Sequence, residues 1–282
     1  MNFFIRNSIG LLWAFLVACC SSPNTPAPDE GEETAKELKI LAIGNSFSAD
    51  AVDQNLFDLF DAAGYTVVIG NLYATGSSLE DHWNRASTRA EVYSYSKNVH
   101  GKKSSRENVA LDQVLAEEEW TVVTLQQASS GSDKYETYLP FAKDLKQYVE
   151  ARTDAKIYWH QTWSYANSAF ENEVDRTQQS MYESIAANSR RIVEELGFAG
   201  VIPSGTAVQN AREKAGDVFN RDYLHLEMDY GRYLAACTWF ETLSGESVVG
   251  NAWRPDNVTP EMADLCRRAA HDAFIHPYEV TR

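Results

Sequence analysis

Four short segments hold residue types that could carry out an acyl transfer. Ser46 follows the apolar run 38–44 (LKILAIG), in the segment Gly44-Asn45-Ser46-Phe47-Ser48. A serine hydroxyl is a weak nucleophile and needs a base within hydrogen-bond reach. Asp222 and His225 stand three apart in Asp222-Tyr223-Leu224-His225. A tight turn at that spacing puts the carboxylate behind the imidazole, where it can hold the ring tautomer and stabilise its cation. Gly76, in Ala74-Thr75-Gly76-Ser77-Ser78, the Ser46 backbone and the pair Gln126-Gln127 offer N–H donors for a tetrahedral oxyanion. Each residue also has a plain structural use. Ser46 could cap a helix. Gly76 could serve a turn and Gln126 close a loop. Asp222 could be a solvated acid, and His225 a core or cap histidine.

The elements that would position these residues are read from apolar patterning. Short apolar runs at 38–44, 65–73, 120–126, 155–161 and 198–203 predict strands. Helical spacing predicts helices over 50–63, 107–119, 138–151, 174–196, 226–243 and 259–275, with Gly64 and Gly197 as stops. This alternation implies an α/β three-layer sandwich, with a mostly parallel five-stranded sheet and helices on both faces. Ligands in such sheets sit at the carboxyl ends of the strands. Ser46, Gly76 and Gln126 each follow a strand, and Asp222 and His225 follow the fifth, so all map to one edge. His160-Gln161-Thr162-Trp163 follows the fourth strand. With Asn45, the residues His160, Gln161 and Trp163 are candidates for substrate binding, Trp163 or Tyr165 walling a pocket against a sugar ring. The alternative is that these aromatics pack the core. The basic segment 85–106, with Tyr93 and Tyr95, reads as a solvated hairpin; the alternative is that it borders the cleft.

The order of these blocks resembles the SGNH/GDSL hydrolases. In that family a Ser follows the first strand in a GDS-like block, a Gly follows the second, an Asn the third, and Asp-x-x-His lies near the C-terminus. Gly44-Asn45-Ser46-Phe47-Ser48 is similar to the first block, with Asn for the usual Asp and Phe for the usual Leu. Gly76 matches the second block and Asp222-Tyr223-Leu224-His225 the last. Gly231 and Ala235 in the following helix are also similar. The third block departs: Leu125-Gln126-Gln127-Ala128-Ser129 stands where Gly-x-Asn-Asp is expected. Here the chain resembles the DUF4886 group of bacterial secreted SGNH-like proteins. The likeness runs from Leu38 to about Leu243. It implies an SGNH/flavodoxin-like fold and ester hydrolysis by Ser46, His225 and Asp222. Ser46, Gly76 and a glutamine would bind the oxyanion, and neither cofactor nor metal is required. Gln126 is preferred over Gln127, because neighbours on a strand end face opposite ways.

The N-terminus reads as an address. Arg6 precedes an apolar stretch, Ile9 to Ala18, that is too short to span a bilayer. Leu16-Val17-Ala18-Cys19 resembles a bacterial lipobox, which implies lipidation of Cys19 after removal of residues 1–18 and a membrane anchor without a spanning helix. Residues 19–37 form a Pro-rich acidic tether similar to the surface-export signal of Bacteroidetes lipoproteins. Residues 38–282 form the hydrolase domain. The expected location is the periplasm or outer-membrane surface of a Gram-negative bacterium.

The chain of 282 residues carries a net charge of -15. Five of the 40 acids and two of the 25 bases precede residue 38, so the domain itself is still net -12. Such a surface repels phosphates and excludes nucleic acid as a partner. Cys237 and Cys266 are either two buried thiols on helices or a pair; spacing alone does not decide. An exported, aromatic-rich domain of this kind points to O-acyl groups, chiefly acetyl, on oligo- or polysaccharide. The alternatives are a uronate methylesterase, a lipid or thioester hydrolase, and a non-catalytic glycan-binding lipoprotein. A lipid hydrolase needs an apolar channel that the loops do not supply, and a non-catalytic protein has no need of all three catalytic residues.

Overall fold

The computed structural model describes residues 36–281. The leader, Cys19 and the tether up to residue 35 lie outside the described residues. β1 (Glu37–Gly44), β2 (Thr66–Tyr73), β5 (Val122–Leu125), β6 (Lys156–His160) and β7 (Val201–Ile202) are the five strands that the apolar runs predict. They run parallel, and β1 lies between β2 and β5. β3 (Tyr93–Val99) and β4 (Lys102–Val109) extend the sheet at the β2 edge, giving the order β4-β3-β2-β1-β5-β6-β7.

The sheet therefore has seven strands, not five. The two additional strands come from the segment read as a solvated hairpin, and they pair antiparallel with β2 and with each other. His100 and Gly101 make the two-residue turn, both at positive φ (50° and 78°), as such hairpins require. The alternation of tyrosine with polar residues in β3, and a β4 that is polar up to Val109, give no continuous apolar run, which is why they escape detection.

Residues alternate between the faces of β1. Ile40 and Ala42 enter one core, with α1 (Ser46–Val52), α2 (Leu56–Ala62), α7 (Ser204–Ala215), α8 (Tyr230–Ser244) and α9 (Pro260–Ile275). Leu41 and Ile43 enter the other, with α3 (Leu79–Thr88), α4 (Leu111–Leu115), α5 (Phe141–Glu150) and the end of α6 (Gln178–Leu196). The predicted helix 50–63 is two helices, and 107–119 is the end of β4 and the short α4. Helices α3 and α7 are additional. Cys237 on α8 and Cys266 on α9 are buried free thiols, so the pairing alternative is set aside. Among the described residues, no helix is long and apolar enough to cross a membrane.

Strand order reverses at β1, with β2 on one side and β5 on the other. The crevice beyond the carboxyl ends of strands at such a point is where an open α/β sheet binds ligands. Ser46 is the second residue after β1.

Candidate active site

The turn from β1 into α1 is built to leave Ser46 free. Asn45, not Ser46, caps the helix: its side-chain oxygen accepts the Phe47 N–H at 3.0 Å. The Asn45 amide donates to the Ser77 carbonyl at 3.0 Å, which draws the Gly76 loop against the start of α1. Ser46 is half-buried and lies on the helix's first turn. Gly76 is exposed, with φ of 61°, in the left-handed region that favours glycine. Among the described residues, the N–H groups of Ser46 and Gly76 have no hydrogen-bond acceptor. Gly44 is required for space rather than for a sharp turn. A Cβ there would stand 2.7 Å from Ser48 Oγ and 2.8 Å from Gln126 Oε1.

Asp222 and His225 form the turn that their spacing suggests. One Asp222 oxygen accepts the N–H groups of Leu224 (2.7 Å) and His225 (2.6 Å). The other meets His225 Nδ1 at 3.0 Å. Partial burial works against ionisation of Asp222. The hydrogen bonds from His225 and Leu224 outweigh it and hold the carboxyl below its ordinary value. The carboxylate thus fixes both the backbone and the ring of the histidine. The ring centroid lies 6.3 Å from that of Phe47, the residue after Ser46. No hydrogen bond joins the Ser46 hydroxyl to His225 in this arrangement. Such contacts commonly close only when substrate is bound.

Several residues that the motifs do not reveal hold this turn over α1. Asp50, one turn beyond Ser46 and 1% exposed, accepts the Leu226 N–H at 2.9 Å. It also pairs with Arg221 at 3.1 Å and with Arg232 at 2.7 Å. Arg221 in turn donates to the Leu226 carbonyl. Arg212 on α7, buried, donates to Asn220 at 2.6 Å and to Ser164 at 2.9 Å. Asn220 donates to the Leu224 carbonyl at 3.2 Å. The one sequence signal for Asp50 is an acid on the same helical face as Phe47 and Ala51, where a charge must find a partner.

Trp163 is not a pocket wall. It is fully buried, stacks on Phe47 at 4.3 Å between centroids and donates its indole N–H to the Leu224 carbonyl at 3.0 Å. It is therefore a positioning residue, and for Trp163 the core alternative holds, whereas Tyr165 is half-buried. His160, Gln161 and Asn45 are equally enclosed, between 0% and 2% exposed, so they too are corrected from substrate contacts to supports. Gln161 accepts the Thr206 N–H at 2.8 Å and donates to the Pro277 carbonyl at 3.2 Å.

The glutamines face opposite ways, as expected of a strand end. Gln127 is spent on local structure: it accepts the N–H groups of Leu79 and Ala128 and donates to Thr137. Its amide is not available to an oxyanion. Gln126 lies on the Ser46 side, buried, and donates one amide N–H to Asn45 Oδ1 at 3.0 Å. Its oxygen faces His160 Nδ1 at 3.0 Å, and His160 Nε2 meets Ser204 Oγ at 3.1 Å. The Asn45 bonds to backbone groups fix every orientation in this chain. Gln126 must donate to Asn45 and therefore accepts from His160 Nδ1–H, which leaves Nε2 to accept from Ser204. Burial pushes the His160 imidazole down to about 3, so the ring is neutral. Gln126 is first of all a strut between the Ser46 block and α7.

A cavity of about 310 Å3 opens beside Ser46. Ser94, Ser96 and Ser105 of the β3–β4 hairpin line it, with Asp53 and Arg221. The hairpin thus borders the cleft with its serine face; Tyr93 belongs to the core on the other side of the sheet, and Tyr95, buried in that core, also borders the cavity. Burial raises the Asp53 carboxyl above its ordinary value, against hydrogen bonds from Asn71 and Ser96, both at 3.1 Å.

Comparison with known proteins identifies the family and the fold. The model of DUF4886, a domain of unknown function, matches residues 39–273. A crystal structure of a DUF4886 family protein from Bacteroides uniformis is 39% identical, covers 87% of this chain and 98% of its own, and superposes with a TM-score of 0.84. A chain from Slackia heliotrinireducens, proposed as an SGNH hydrolase, is 21% identical, with 74% of this chain and all of its own covered, at a TM-score of 0.52. A lipase/acylhydrolase from Enterococcus faecalis is 17% identical, with 74% and 96% covered, at 0.50. No match is found among curated proteins. The chain belongs to the DUF4886 family and is built on the fold of the SGNH hydrolases.

Proposed function

We infer that this chain is a serine ester hydrolase that removes small O-acyl groups, chiefly acetyl, from carbohydrate. The observation that carries this reading is the Asp222–His225 turn, pinned by Asp50 and Trp163 over the helix that begins with Ser46. Ser46 Oγ attacks the ester carbonyl carbon as His225 Nε2 takes its proton. Asp222 holds the Nδ1–H and balances the imidazolium. The N–H groups of Ser46 and Gly76 receive the oxyanion, a contribution of about 3–4 kcal/mol to the barrier for each donor. His225 returns the proton to the departing alcohol. It then activates the water that frees the acid from the acyl-enzyme.

The cavity is small, about 310 Å3, and serine, acid and arginine groups line it beside Tyr73 and Tyr95, which supports a hydroxylated partner over a long acyl chain. Export on a lipid attached to Cys19 would place the enzyme among extracellular polymers; a Cys19→Ser chain recovered wholly in the soluble fraction is the expected result. Substrate is tested by incubating acetylated and methyl-esterified polysaccharides with the enzyme and measuring released acetate and methanol. The expected outcome is acetate release that Ser46→Ala abolishes at an unchanged melting temperature. Release that survives in Ser46→Ala overturns the reading.

A further inference from the structure

Tyr223 stands inside the turn that carries the acid and the base, yet it points outward. Leu224 packs against the core, whereas Tyr223 is 54% exposed. Single exposed aromatics are common. This one is unusual in being held from several sides. Its carbonyl accepts the Ala166 N–H at 2.9 Å. Asp222 fixes the backbone that follows it, and the Arg221 N–H closes the turn on the His225 carbonyl at 3.0 Å. Its ring is braced edge-on by Tyr165, with centroids 5.9 Å apart and an interplanar angle of 85°. Tyr165 is anchored in turn through its hydroxyl to Ser129 Oγ at 3.1 Å. The ledge thus ties together the loops that follow β5 and β6.

A rigid aromatic face costs little conformational entropy to use in binding. One face of a pyranose ring is lined with C–H groups and matches such a surface, while its hydroxyls stay in water. The turn also has a reach. Arg221 lines the cavity beside Ser46, and Tyr223, two residues on, forms the ledge. Resting on the esterase reading above, we propose that Tyr223, braced by Tyr165, stacks against a sugar ring adjoining the acylated one, so that the substrate is an oligosaccharide or polymer and not an acylated monosaccharide.

The test is a series of acetylated cello-oligosaccharides of increasing length, with para-nitrophenyl acetate as a ring-free ester, run with the full chain. For the native protein, kcat/KM rises with added rings. In Tyr223→Ala that rise is lost, through a KM about tenfold higher for the longer members. Tyr223→Trp preserves the rise, which separates stacking from an effect on the turn. Equal length dependence in Tyr223→Ala and the native protein overturns the proposal, as does a loss of equal size on para-nitrophenyl acetate. Hydrolysis of para-nitrophenyl acetate that depends on Ser46, with no oligosaccharide accepted, also overturns it but leaves the esterase reading standing. Hydrolysis that does not depend on Ser46 removes the esterase reading itself.

Discussion

The Asp50 carboxylate accepts the Leu226 N–H at 2.9 Å, joining residues 176 positions apart. Through this bond the helix that presents Ser46 also holds the residue next to His225. Ser46 and His225 are therefore registered against each other by one buried acid, and not only by the packing of the sheet. Arg221 and Arg232 complete the arrangement by neutralising that acid from two sides.

Asp50→Ala removes the carboxylate that both guanidinium groups pair with and the acceptor of the Leu226 N–H, while Arg221 keeps its bond to the Leu226 carbonyl. Breaking a buried pair costs about 3–5 kcal/mol, and the exposure of Arg221 places the expected loss near the lower end. Asp50→Asn keeps an acceptor for Leu226 and should lose less. Denaturant unfolding gives the stability. The kcat for para-nitrophenyl acetate should fall in the same order, with KM changing less. A native-like kcat in Asp50→Ala would separate this acid from the site.

Trp163→Phe keeps the stack on Phe47 and removes the indole N–H from the Leu224 carbonyl. The stability loss should be about 1 kcal/mol, because Asn220 still donates to that carbonyl. The expected kinetic signature is a kcat about tenfold lower at an unchanged KM, from a misplaced His225. If Trp163 instead touched the sugar, KM for saccharide esters would rise and kcat would stand.

Stability should fall on mild acidification. Burial pushes the imidazoles of His160 and His82 down to about 3, from an ordinary value of 6.5. Between those limits the unfolded chain binds the protons and the folded chain does not. The stabilisation is therefore complete above about pH 6.5 and is lost as the pH falls towards 3. Asp222, held below its ordinary 3.8, acts with the same sign at the acid end of that window. Each proton contributes a slope of about 1.4 kcal/mol per pH unit. Urea unfolding at several pH values should show a shallower slope in His160→Gln by about one proton. An identical slope would mean that His160 is charged in the folded chain.

The strand ends were legible because continuous apolar runs mark the parallel strands, and the residues after them fall at one edge. That is enough to bring Ser46, Gly76, Asp222 and His225 to one edge; what groups them as a set is the resemblance of their order to the SGNH/GDSL blocks. What escaped has particular causes. β3 alternates tyrosine with polar residues and β4 is polar up to Val109, so the hairpin whose serines line the cavity gives no continuous apolar run. Asp50 gains its meaning from Leu226, Arg221 and Arg232, none of them near it in sequence. Trp163 has the composition of a sugar-binding aromatic, and only its burial and its bond to Leu224 reveal a structural task. Asn45 reads as a polar group facing a ligand but is taken up by its neighbours, and Gln126 spends its oxygen on His160 and one amide N–H on Asn45.

The central claim is that Ser46 is the nucleophile activated by His225. Covalent trapping tests it most directly. An alkyl fluorophosphonate reacts by forming an Oγ–P bond as fluoride leaves, and peptide mapping locates the adduct. The account predicts one adduct per chain, on Ser46, with activity lost in proportion, absent in Ser46→Ala and slowed severely in His225→Ala. An adduct on another residue, or ester turnover that persists after Ser46 is fully modified, would contradict it.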